Sequence, residues 1–193
     1  PLTAVPLDQA PSLEAPWMPD SMLSLYGTPE FAGLTAEQRR RLSQLEFSLM
    51  CSISCSGEKE VIANISRLML KRRFEHVRPY LFHFIKEENN HIFAFSEFCV
   101  RYGNLYPSLY AYAQGDMWGD DRVADLMTFV HVLVFEELGH GLNEILAADG
   151  ALPPLVRAIN AYHVEDEGRH ISFGRHLVRE LTAELLPRLE PEN

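Results

Sequence analysis

No window of the chain approaches the roughly 18 consecutive apolar residues of a membrane-spanning helix. The opening, Pro1 to Pro16, has no basic stretch followed by an apolar one. Neither a membrane span nor a signal peptide is therefore read, and a cytoplasmic location is the default expectation. Cysteine is scarce: Cys51, Cys55 and Cys99 form an odd set without a CxxC pair, which reads as buried thiols instead of a disulfide or zinc site. Basic side chains are in deficit, 17 against 27 acidic ones, for a formal net charge of −10. That is the wrong sign for neutralising phosphates, so nucleic acid and anionic membranes are not expected partners. Carboxylates bound to metal would leave the exterior less negative than the formal count. Period-two alternation, solenoid repeats and low-complexity tracts are also missing, which excludes a sheet and a repeat array.

What is present is enough apolar material, 47% of the residues, for one real core. Prolines at 1, 6, 11, 16, 19 and 29 rule out a long helix at the start. Residues 1–33 therefore read as an irregular arm anchored by Trp17, Met18, Leu23 and Tyr26, and residues 34–193 as the folded domain. Thr35 and Gln38 form a capping box that opens a helix running to about Arg73, with Gly57 interrupting it. A second helix is predicted over Pro79 to Tyr102, stopped by Gly103. Gly103 to Gly119 is a connection rich in Tyr, Gly and Pro. A third helix starts at Asp120 or Asp121 and ends by Gly150; a fourth runs from Pro153 and Pro154 to about Leu186. The fold class is all-α, a four-helix bundle. The long connection lets the second and third helices run parallel, as the crossover of ferritin-like bundles does.

Polar groups interrupt the apolar faces of these helices. In the fourth, His163, Glu167 and His170 fall at i, i+4 and i+7 on a stripe with Ile159, Phe173, Gly174 and Leu177. In the second, Glu88-x-x-His91 shares its side with Leu81, Phe84, Phe95 and Phe98. Glu136 lies with Phe129, Leu133 and His140 on the third. On the first, Glu58 lies with Cys51, Val61, Ile62 and Ile65, while its rival Glu60 shares an outward row with Ser56, Asn64 and Arg67. Each feature alone has an ordinary reading: a surface pair, a satisfied core histidine, a solvated face. Together, in bundle order, they point to a metal centre, because inward acids and imidazoles must be paired and a metal pairs them all at once. Glu137-x-x-His140 is a third such spacing, and His140 is expected to support the centre from outside. Arg169 is expected to partner a ligating carboxylate, and Asp166 to accept a ring N–H from a ligating histidine. His76, His83, His131 and His176 read as structural or surface residues.

The pattern His163-x-x-x-Glu167-x-x-His170, with Glu88-x-x-His91 and with Glu136 27 residues before His163, resembles the di-iron arylamine N-oxygenase family of the p-aminobenzoate N-oxygenase type. The resemblance covers roughly residues 35 to 185, and the chain is shorter than typical members. It implies a ferritin-like fold holding two iron ions through four Glu and three His. In this chain those are Glu58, Glu88, His91, Glu136, His163, Glu167 and His170, with the first-helix choice open between Glu58 and Glu60. It further implies O2 as co-substrate, an external electron donor, a peroxo-diferric intermediate, oxygen insertion at the nitrogen of a small-molecule amine, and a homodimer. Relatives that oxidise carbon make a biosynthetic hydroxylase the alternative; ferritin-like iron oxidation and storage, or a metal-free interaction protein, are alternatives of other classes. The donor types suit iron or manganese. Tyr106, Tyr110, Tyr112, Trp118, Phe95, Phe98, Phe129 and Phe135 read either as an aromatic cavity or as plain core. Arg67, Arg72, Arg73 and Arg78 read as sites for an acidic group or as solvated.

Overall fold

The computed structural model describes residues 2–107 and 118–189. Helix is the only regular structure among them: α1 (Pro29–Ala32), α2 (Ala36–Leu68), α3 (Arg78–Tyr102), α4 (Asp121–Ala148) and α5 (Pro154–Leu189), with 3-10 turns at Leu2–Ala4, Asp20–Met22 and Arg72–Phe74. None of these helices is long and apolar enough to cross a membrane.

The helix ends follow their local chemistry. The Thr35 side chain accepts from the Gln38 N–H while the Gln38 side chain accepts from the Thr35 N–H, which satisfies two orphan donors of α2. Asp120 does the same for Arg122 and Val123 at the start of α4. Two expectations are corrected. α2 stops at Leu68 and not near Arg73, because the chain turns so that Lys71 and Arg73 both reach the buried Asp125 of α4, at 2.7 and 2.9 Å. Gly57 does not interrupt α2. The helix runs straight through it, and the Phe135 ring of α4 occupies the space, about 2.2 Å away, where a Cβ would sit.

Contacts fix the topology. Phe47 meets Phe98 and Cys55 meets Ile92, so α2 and α3 are antiparallel. Lys71 meets Asp121 while Gly57 meets Phe135, so α2 and α4 are antiparallel as well. Tyr80 meets Phe173 and Phe95 meets His163, which sets α3 against α5 in the same manner. It follows that α3 and α4 run in the same direction. The chain between them leaves from Ser52, whose hydroxyl accepts from the Tyr106 N–H at 3.0 Å, and arrives at Asp121 beside Lys71. Ser52 and Lys71 are about 30 Å apart along the α2 side at 1.5 Å per residue, a gap that residues 103–120 can span when extended. This is the ferritin-like crossover.

Two apolar clusters fill the bundle. One gathers Trp17, Phe47, Phe98, Leu146, Leu155 and Ile159; the other Ile65, Leu81, Phe84, Phe129, Leu177 and Leu181. Between them each long helix contributes buried polar side chains: Glu58, Glu88 and His91, Glu136, and His163, Glu167 and His170.

The arm lies on the first cluster. Trp17, Met18 and Leu23 are buried there, joined by Val5 and Phe31. Tyr26, expected as an anchor, is 55% exposed, its ring edge-on to Phe31, which takes the buried position instead. The Trp17 ring sits edge-on to Phe47 and Phe98, and its N–H donates to the Ser12 carbonyl. All three cysteines are buried free thiols. Trp17→Ala should lower stability by about 3–5 kcal/mol, measured as a shift of the urea midpoint; an unchanged midpoint would show that the arm adds nothing to the core.

Candidate metal centre

Seven side chains meet in the layer between the clusters, and none is more than 3% exposed. His163 Nε2 lies 3.0 Å from Glu58 Oε1 and 3.1 Å from Glu167 Oε1. His91 Nδ1 lies 3.3 Å from both Glu88 Oε2 and Glu167 Oε1. His170 Nδ1 lies 2.7 Å from Glu88 Oε1, 3.3 Å from Glu167 Oε2 and 4.0 Å from Glu136 Oε2. Donor atoms of Glu58, His91, His163 and Glu167 all fall within 4.8 Å of one another, and so do those of Glu88, Glu136, Glu167 and His170. Glu167 belongs to both groups. The glutamate of each helix segment does not simply pair with its own histidine: Glu88 groups with His170 of α5, and His91 with Glu167.

The donor set fits a pair of cations. Glu58 Oε2, Glu88 Oε1, Glu167 Oε1 and both Glu136 oxygens are buried yet accept no hydrogen bond from the described residues. Several stand close to a ring nitrogen without the alignment a hydrogen bond needs. Donor atoms gathered within 4.8 Å of one another, with acceptors left over, are a combination that a cation would satisfy. Oxygen and imidazole donors without thiolate suit iron or manganese.

Electrostatics agrees. Burial pushes Glu88 and Glu167 well above the ordinary carboxylate range, reinforced by the neighbouring acids. Burial, with the charge of Glu58, raises Glu136 to about 8. Burial also opposes ionisation of Glu58, but its contacts with Glu88 and His163 outweigh this and hold it at about 2. Burial lowers His163 and His170, keeping their lone pairs free. Without a cation, then, Glu88, Glu136 and Glu167 take up protons while Glu58 stays ionised; with one, the protons are displaced.

A second layer surrounds the first. Asp166 Oδ2 lies 3.1 Å from His91 Nε2, and Glu87 Oε2 lies 2.9 Å from His170 Nε2. Arg169 pairs with these two outer acids, so it does not partner one of the seven inner residues as expected. Glu87 was missed by the sequence reading. Its one signal is position: it precedes Glu88 as Asp166 precedes Glu167. Phe84 stacks on His170 at 3.8 Å and Phe95 lies 5.1 Å from His163, closing the layer with apolar walls.

Other candidates lie elsewhere. Glu58 enters the layer, while Glu60 is half-buried and belongs to neither group. His140 reaches Glu144 at 3.4 Å and not the layer, and Glu137 pairs with Arg175. His76 pairs with Glu180 and His83 with Glu87, while His131 and His176 are exposed. The aromatic residues do not share a cavity: Phe95 and Phe98 belong to one apolar cluster, Phe129 and Phe135 to the other, and Trp118 is exposed. Tyr106 is half-buried at the start of the crossover. Tyr110 and Tyr112 lie outside the described residues. Arg73 is held by Asp125, Arg78 by Glu75, and Arg67 bonds Asn64.

The model of the family described as P-aminobenzoate N-oxygenase AurF matches residues 4–190, nearly the whole chain. Neither a curated protein nor a solved structure matches.

The raised acids set a pH dependence for the metal-free protein. Between about pH 6.5 and 8 the folded chain keeps a proton on Glu136 that the unfolded chain has released, so stability falls as pH rises through this window. The lowered histidines contribute in the opposite sense below their unfolded value of about 6.5, where they work against the raised acids. Apoprotein Tm should therefore decline from pH 6.5 to 8, and loading with a divalent cation should remove the decline. A flat apoprotein profile would contradict the proton uptake.

Proposed function

The chain belongs to the AurF family of p-aminobenzoate N-oxygenases, and from that membership we propose that it is a non-haem di-iron, O2-dependent monooxygenase acting on the nitrogen of an arylamine-like substrate. Membership makes it an oxidoreductase. Glu58, His91 and His163 would hold one ion, Glu88, Glu136 and His170 the other, and Glu167 both. The observation that carries this reading is the set of buried carboxylate oxygens without hydrogen-bond partners, arranged as two donor groups that share Glu167. Residues 34–193 would form the catalytic domain, covered at one end by the arm of residues 1–33.

Bound there, two irons would supply the electrons and the Lewis acidity that dioxygen activation requires, with an external donor restoring the electrons. The residues do the rest. Four ionised glutamates cancel the charge of two divalent cations, so the reduced centre is nearly neutral and tolerates burial. Phe84 and Phe95 exclude water from the imidazoles beside them. Asp166 and Glu87 accept at the outward ring nitrogens of His91 and His170, leaving the inward nitrogens as donors.

Anaerobic Fe(II) titration should give two ions per chain, and the loaded protein should consume O2 in the presence of an aromatic amine and return an N-oxygenated product. Glu167→Ala should weaken both positions, since that side chain is common to the two groups. O2 uptake with alcohols or alkyl substrates but not amines would move the reaction to carbon. Iron uptake far above two per chain would assign storage instead, and absence of iron binding would sink the proposal.

A further inference from the structure

α3 and α5 carry the same five-residue pattern of an acid, a glutamate, two intervening residues and a histidine: Glu87-Glu88-Asn89-Asn90-His91 and Asp166-Glu167-Gly168-Arg169-His170. In space the two copies exchange their outer acids. Glu87 of α3 meets His170 of α5, and Asp166 of α5 meets His91 of α3. Arg169 then joins the two acids: its guanidinium donates to Glu87 Oε1 at 2.6 Å and also to Asp166 Oδ1.

We infer that Arg169 is a positioning residue that orients both imidazoles at once through Glu87 and Asp166, and so couples the two metal positions. The inference rests on the di-iron reading above. His91 and His170 both turn Nδ1 toward the inner carboxylates, so the ring that donates a lone pair there carries its proton on Nε2. A carboxylate that accepts this N–H fixes the tautomer and the ring plane and strengthens the inward donor. Glu87 and Asp166 are each only 7% exposed, and two such acids side by side repel unless a cation lies between them. The planar fork of the guanidinium is held by Nη1, which donates to the Glu165 carbonyl at 3.1 Å, while Nη2 donates to both acids; an ammonium is a point charge without that second anchor. His163 is outside this arrangement. It turns Nε2 inward, and its Nδ1 has no hydrogen-bond partner among the described residues.

The position of Arg169 makes the inference testable. Its side chain is 45% exposed and borders a cleft of about 260 Å³ with His83, Lys86 and Tyr162. Removing the guanidinium therefore leaves no void in the apolar core. The experiment is an anaerobic Co(II) titration followed by absorption and metal analysis, with circular dichroism confirming that each variant is folded. Arg169→Ala should weaken binding at both positions, by about 10–100-fold, whereas Asp166→Asn should act chiefly on the position that holds His91 and Glu87→Gln on the one that holds His170. Arg169→Lys, which keeps the charge but not the fork, should recover only part of the affinity; it also serves as the deciding variant if Arg169→Ala fails to fold. Wild-type affinity at both positions, or a loss confined to one, would overturn the inference. A wild-type chain that does not bind two ions would overturn the di-iron reading itself and the inference with it, a result distinct from any the Arg169 variants produce.

Discussion

Four carboxyl groups confined to one dry layer of a helical bundle are the constraint on which the rest of this structure depends. Apolar clusters close the layer on both sides, so Glu58, Glu88, Glu136 and Glu167 cannot be relieved by water. Coulomb repulsion at a few ångströms in such a medium is too large to be absorbed by packing, so either protons or cations must enter. Most other features follow from this. His91, His163 and His170 supply imidazole donors, and burial suppresses the protonation of His163 and His170. The crossover puts α3 and α4 parallel, which lets all four long helices present side chains at the same level.

The outer layer solves a different problem. A histidine surrounded by phenylalanine has no intrinsic reason to prefer one ring orientation, and stacking such as that of Phe84 on His170 restrains the plane without selecting the tautomer. Selection needs an acceptor behind the ring, and acceptors that carry charge need a counter-charge. Arg169, reaching inward from a half-exposed position, supplies it. The layers are thus ordered outward by decreasing burial, with the cationic Arg169 outermost.

Much of this was legible before any coordinates. The capping pair Thr35 and Gln38, the acid start of α4 and the proline-limited arm are local signals, and the structure reproduces each of them. The seven inner residues were visible because helical phase reports which side chains share a face, and their faces were otherwise apolar. Phase cannot report partners across helices. It missed Glu87, whose role exists only because α5 brings His170 beside it, and it could not say that Glu88 groups with His170. Gly57 misled for the same reason: glycine reads as a helix weakness until the Phe135 ring is found in the space it leaves. Tyr26 read as an anchor beside Trp17, Met18 and Leu23, but Phe31 takes the buried place and leaves Tyr26 exposed.

α5 supplies three of the seven inner side chains and one of the two outer acids, all within eight consecutive positions from His163 to His170. Inserting or deleting one residue upstream of that block would turn it by about 100° about the helix axis. His163, Glu167 and His170 would leave the interior together, carrying Asp166 with them. Seven residues would restore the phase but move the block about 10 Å along the axis, away from the level of its partners, so this part of the helix tolerates no change of length. The bundle therefore tolerates drift in its connections far better than in the phase of its last rod.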